Sequence, residues 1–156
     1  MLDGEQYVFK GGSATVVDMS GGTQIVRVSG NGMIETLNGG EQNIMGGGTG
    51  LVSTMNSGSQ VISSSGTGTV DTLNGGTQTV AGGGNGKVST MLGGTQVVSR
   101  SGKGTVNALN GGTQIVSVGG IVTGYCFEQR RNCLSGQSAA IYLILPIAVG
   151  MQIHRS

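Results

Sequence analysis

Charge is scarce in this sequence: 10% of the 156 residues are charged and the formal net charge is +1. A nucleic-acid binder needs a clustered basic face, and no basic stripe precedes Arg130 and Arg131. Tryptophan is absent, and histidine and proline occur once each, as His154 and Pro146. Both cysteines, Cys126 and Cys133, lie near the C-terminus, so no disulfide framework holds the chain. With His154 they offer too few ligands for a structural zinc site. The apolar run from Ala139 to Met151 carries Pro146 and falls short of the roughly 20 residues that cross a bilayer. No membrane span is therefore expected.

What the chain has instead is glycine, 33 residues of it. Such a composition fits either a flexible linker or a repeat structure with glycine at tight corners. The periodicity separates the two. Gln recurs at Gln6, Gln24, Gln42, Gln60, Gln78, Gln96 and Gln114, with no insertion between them. Two residues before each Gln stands a glycine, Gly4 to Gly112, and two after it a β-branched residue, Val8 to Val116. A second glycine column, Gly12 to Gly120, precedes by four a second aliphatic column: Val16, Ile34, Val52, Val70, Val88 and Val106. A third apolar column holds Met19, Leu37, Met55, Leu73, Met91 and Leu109. A short fixed period of this kind marks a solenoid.

Glycine-rich units with β-branched apolar positions do not suit helices, so the rungs are strands. Side chains alternate along a strand, which puts Gln24 and Val26 on one face and Ile25 and Arg27 on the other. The first pair's columns barely vary, the second pair's vary freely. The constant face is read as the interior and the variable one as the exterior. On the second strand the same reasoning places Val88 and Thr90 inside, Lys87 and Ser89 outside. The expected fold is all-β: a parallel β-helix of about seven 18-residue coils. The coils start near residues 3, 21, 39, 57, 75, 93 and 111 and span residues 3–124. Coil spacing of about 4.8 Å makes a rod on the order of 30 Å long. The Gln column, if inward, forms an amide ladder, and the glycines mark corners with positive φ.

The unit NGGTQ-V---G-G-V-T-L resembles the passenger repeats of bacterial autotransporter adhesins of the diffuse-adherence and antigen-43 type, over residues 3–124. The resemblance implies a right-handed β-helix displayed at the cell surface or outer membrane. It would serve in attachment to host cells, self-aggregation or biofilm, some members carrying heptose on Ser or Thr. Its partners would be host-cell or bacterial surface molecules, or further copies. The chain departs from that family in showing neither a secretory signal in MLDGEQYVFK nor room after Gly124 for a translocator barrel; by itself it would stay cytoplasmic. From Tyr125 to Ser156 the register breaks, and this tail is read as a shifted reading frame or a disordered extension.

The repeats offer little catalytic material. Glu35 falls in an outward column, Glu41 beside a corner, and Asp18 in the inward threonine column of the first coil. Glu35 and Asp71 share a column two coils apart, roughly 10 Å, too far to share a proton. A frayed end suits His154 better than general base. GKGT (Gly102 to Thr105) and GNGKV (Gly84 to Val88) lack the Ser or Thr that follows Gly-Lys in a phosphate loop. A calcium β-roll needs Asp where Val52, Val70, Val88 and Val106 stand. No catalytic, cofactor-binding or metal residue is assigned, and no cofactor. The expected function is a non-enzymatic adhesin-like module, with two alternatives left open: a non-functional remnant of such an adhesin, and a polysaccharide-acting β-helix enzyme.

Overall fold

The computed structural model describes residues 1–123. The tail from Gly124, with Cys126, Cys133 and His154, lies outside the described residues. Fourteen strands alternate strictly between two seven-stranded parallel sheets. Sheet A contains β1 (Glu5–Val8), β3 (Thr23–Arg27), β5 (Glu41–Met45), β7 (Ser59–Ile62), β9 (Thr77–Val80), β11 (Thr95–Val98) and β13 (Thr113–Val116). Sheet B contains β2 (Ser13–Met19), β4 (Asn31–Leu37), β6 (Thr49–Met55), β8 (Thr67–Leu73), β10 (Asn85–Met91), β12 (Lys103–Leu109) and β14 (Ile121–Thr123). Every ladder is in register with the coil before it, Gln24 beside Gln6 and Val88 beside Val70, so the chain is a parallel β-solenoid of seven coils.

The inward columns lie where the sequence puts them. Val26, Ile44, Ile62, Val80 and Val98 are fully buried or nearly so against sheet A, and Val16 to Val106 with Met19 to Met91 form a second apolar cluster on sheet B. The glutamines separate the two clusters and are themselves buried from Gln24 to Gln114. Each Gln Nε2 donates to the Oε1 of the preceding coil, from Gln24→Gln6 (2.7 Å) to Gln114→Gln96 (2.6 Å). Four of them also donate to sheet B carbonyls, as Gln78 does to Lys87 O (3.2 Å). No buried side-chain polar atom among the described residues lacks a partner. That is the condition under which a buried amide does not destabilise its surroundings.

Two expectations are corrected. The inward pair on sheet B is Val88 and Met91, not Val88 and Thr90, which is half-buried. The reason is a break in the ladder: Val88 pairs Val106 and Thr90 pairs Ala108, but Ser89 has no partner, and its column is skipped in every coil with that segment. Ser89 and Thr90 thus both stay off the interior, and the alternation shifts by one between Val88 and Met91. Asp18, in the threonine column, is exposed for the same reason and accepts from Ser20 Oγ and Asn38 Nδ2.

The second correction concerns glycine. Gly4 to Gly112 do have positive φ, but Gly12 to Gly120 do not. A Cβ on Gly30 would sit 2.7 Å from Val8 O of the coil below, so close approach of backbones, not chirality, keeps that column bare. Positive φ falls just before it. Residues 28–29, 46–47, 64–65, 82–83 and 100–101 are consecutive left-handed pairs closed by bonds such as Gly30 N→Arg27 O (3.0 Å), the geometry of type I′ turns.

Candidate interaction surface

Among the described residues no group of three or more His, Cys, Asp or Glu could hold a metal ion. Glu35 and Asp71 are exposed, Glu41 is half-buried, and each lies on an outer face or corner. The structure brings none of them together: Asp71 accepts from Ser89 Oγ (3.4 Å), while Glu41 accepts from Asn43 Nδ2 (3.2 Å) and Ser59 Oγ (3.2 Å). Val52, Val70 and Val88 are fully buried and Val106 nearly so, which leaves no ligand at the positions a calcium roll would use.

Chemistry is therefore confined to the outward columns, and it is unevenly spread. On sheet A the outer faces of the last four coils carry Ser, Thr, Val, Ile and Ala only: Ser59, Val61 and Ser63, then Thr77, Thr79 and Ala81, and so on. The first three coils differ. Tyr7 and Phe9 are 48% and 53% exposed, with ring planes 10° apart and centroids 5.7 Å apart. Phe9 lies just past the end of β1, two residues beyond Tyr7, and the two rings stack on the same face. The Tyr7 hydroxyl donates to Glu5 Oε2 (2.7 Å), and this bond to a carboxylate, with the carboxylate's charge, holds the phenol above its ordinary pKa; the Arg27 guanidinium pulls weakly the other way. Next to Tyr7 in its column is Ile25, then Asn43.

Ile25 is an exception to the inside–outside pattern. It points outward yet is only 9% exposed. Its outward neighbours in the later coils, Val61, Thr79, Val97 and Ile115, are all half-buried. Its neighbours on the outer face therefore cover it. Tyr7 and Asn43 flank it along the column, Arg27 stands beside it on β3, and Glu5 and Glu41 occupy the adjoining column in the coils on either side. Sequence reasoning missed this patch because it treated the outward columns as a variable class. The signal was there: Tyr7 and Phe9 are the only aromatic residues before Tyr125.

Charge follows the same polarity. Coils 1 to 4 carry Asp3, Glu5, Asp18, Glu35, Glu41 and Asp71 against Lys10 and Arg27, whereas coils 5 to 7 carry Lys87, Arg100 and Lys103 with no carboxylate. At the corner before sheet A a polar ladder runs on the outside, Asn74 to Asn56 to Asn38 (2.8 Å each) and on to Asp18.

Comparison with protein-family models, with curated proteins and with solved structures gives no match. The resemblance to autotransporter passengers rests on the repeat residues themselves.

Proposed function

We propose that the chain is a non-enzymatic adhesin-like module, a rod of the autotransporter-passenger kind displayed at the cell surface or outer membrane, or secreted, that promotes attachment, self-aggregation or biofilm. One observation carries the reading: among the described residues the inward columns are nearly constant from coil to coil, while the outward columns change in size, polarity and charge. Among the described residues the carboxylates lie apart on outer faces and corners, an arrangement that suits a contact surface. Its partners are host-cell or bacterial surface molecules, or other copies of the chain.

The test is surface display of the full chain from a carrier on a non-adherent bacterium. Attachment to cultured cells, settling of the suspension and biofilm mass should each be compared with the empty carrier. Equality with the carrier in all three readouts would overturn the reading.

A further inference from the structure

The tetrapeptide Leu-Asn-Gly-Gly occurs three times, at 37–40, 73–76 and 109–112, each time at the corner that leads into sheet A. The fold itself demands the glycine that follows the asparagine. A Cβ on Gly39, Gly75 or Gly111 would strike the carbonyl oxygen of Ser20, Asn56 or Leu92 in the preceding coil. Asparagine followed by glycine is also the dipeptide that loses its side-chain amide most easily, because no Cβ hinders ring closure. The glycine nitrogen attacks the asparagine Cγ and gives up its proton, the Cγ–Nδ2 bond breaks, and ammonia leaves. Water then opens the cyclic imide at one carbonyl or the other, giving aspartate or isoaspartate.

The three corners share one backbone. Gly39 N, Gly75 N and Gly111 N donate to Met19 O, Met55 O and Met91 O (3.1, 3.2 and 3.1 Å), and Gly40, Gly76 and Gly112 have φ of +80°, +81° and +80°. All three asparagines are exposed, and they differ in what holds the amide. Asn38 is held on both sides, its Nδ2 donating to Asp18 Oδ1 (3.1 Å) and its Oδ1 accepting from Asn56 Nδ2 (2.8 Å). Asn74 donates to Asn56 Oδ1 (2.8 Å), but Leu92 occupies the column on its other side. Leu92 also precedes Asn110 in the column, and among the described residues the Asn110 amide bonds to no side chain. Ring closure has to turn the amide out of the ladder. The geometry points to Asn110 as a site of spontaneous deamidation, with Asn74 slower and Asn38 slowest. Asn31 and Asn85 also precede glycine, but they lie in paired strands whose extended backbone ring closure would have to leave. The reaction puts a carboxylate among coils 5 to 7, which carry Lys87, Arg100 and Lys103 and no carboxylate of their own. Isoaspartate also lengthens the main chain at the corner where Asn110 N and Gly111 N share Met91 O. The rod thus ages first at the corner leading into β13, while the ladder spares the earlier corners.

The experiment incubates the full chain in mildly alkaline buffer and follows asparagine loss at each corner by mass spectrometry of proteolytic peptides. Each ladder bond should slow the loss by about fivefold, the scale of one net hydrogen bond. Asn110 should therefore react first, then Asn74, then Asn38. In concentrated urea the three rates should converge, because the local sequence is the same. Leu92→Asn, at an exposed position, extends the ladder to both neighbours and should slow Asn74 and Asn110 alike; circular dichroism checks that the strands persist. Asn110→Gln, whose longer side chain closes the ring far less readily, should remove the early acidic species seen on isoelectric focusing. Equal rates in the folded chain, the same order of rates in urea, or an Asn110 rate unchanged by Leu92→Asn would overturn the proposal. None of these outcomes bears on the adhesive reading.

Discussion

Individual residues in this fold are constrained less by what they contact than by what backbone they must tolerate. Val28 has φ +49°, in the left-handed region that a β-branched side chain disfavours, at the position where other coils place Gly46 and Gly82. Val28→Gly relieves that strain and should stabilise the rod by about 1 kcal/mol, read as a rise in the thermal midpoint. The reverse holds in the column Gly32, Gly50, Gly68, Gly86 and Gly104, which faces the glutamine ladder from sheet B. A Cβ on Gly68 would come within 2.6 Å of Ile62 Cγ1 and 2.9 Å of Gln60 Oε1, so Gly68→Ala should cost about 2 kcal/mol by overpacking, measured by urea denaturation. The first coil has Ala14 in this column, packed against the sheet A cluster. Tyr7 supplies a pH readout. Its bond to Glu5 favours the neutral phenol, so tyrosinate absorbance from Tyr7 should appear at higher pH than from an ordinary tyrosine. Glu5→Gln should move it back down, with Tyr7→Phe identifying the signal.

At the scale of the element, the glutamine ladder shows how a polar column can sit inside an apolar core. Every rung has the same orientation, amide N–H toward the first coil and carbonyl toward the last. Gln60→Leu removes a bond on each side and leaves Gln42 Oε1 without its partner, which should cost about 3 kcal/mol, more than twice a typical exposed hydrogen bond. A denaturation midpoint equal to wild type would show that the rung contributes no net stability. The sequence made strands, parallel register, inward columns and this ladder legible because each recurs six or seven times, and repetition turns weak propensities into a pattern. It hid the shift of alternation at Ser89: no special residue marks it, its column holding Val17, Glu35, Ser53, Asp71, Ser89 and Asn107. It also hid the role of Gly12 to Gly120, since an absent Cβ reads the same whether φ or a neighbouring carbonyl demands it. The burial of Ile25 was illegible because it depends on neighbours one coil away, which a strand's own pattern does not contain.

For the whole molecule the coils are not quite equivalent. Met19, Leu37, Met55, Leu73, Met91 and Leu109 alternate, and so do the turns, with Gly46–Gly47 and Gly82–Gly83 between Val28–Ser29, Ser64–Ser65 and Arg100–Ser101. The packing unit is therefore a pair of coils. Deleting residues 57–92, one such pair, preserves the alternation and every ladder. The shortened chain should still unfold cooperatively, with a lower midpoint and smaller urea dependence because fewer interfaces contribute. Deleting residues 57–65, half a coil, would set sheet A strands against sheet B strands and should abolish the fold, visible as loss of the β-sheet circular dichroism signal. The register that makes this possible carries a genetic implication. Because each coil closes on its own period, unequal recombination between the coding repeats can add or remove whole pairs of coils without damaging the parts that remain. Rod length then becomes a quantity that lineages can vary in discrete steps of two coils.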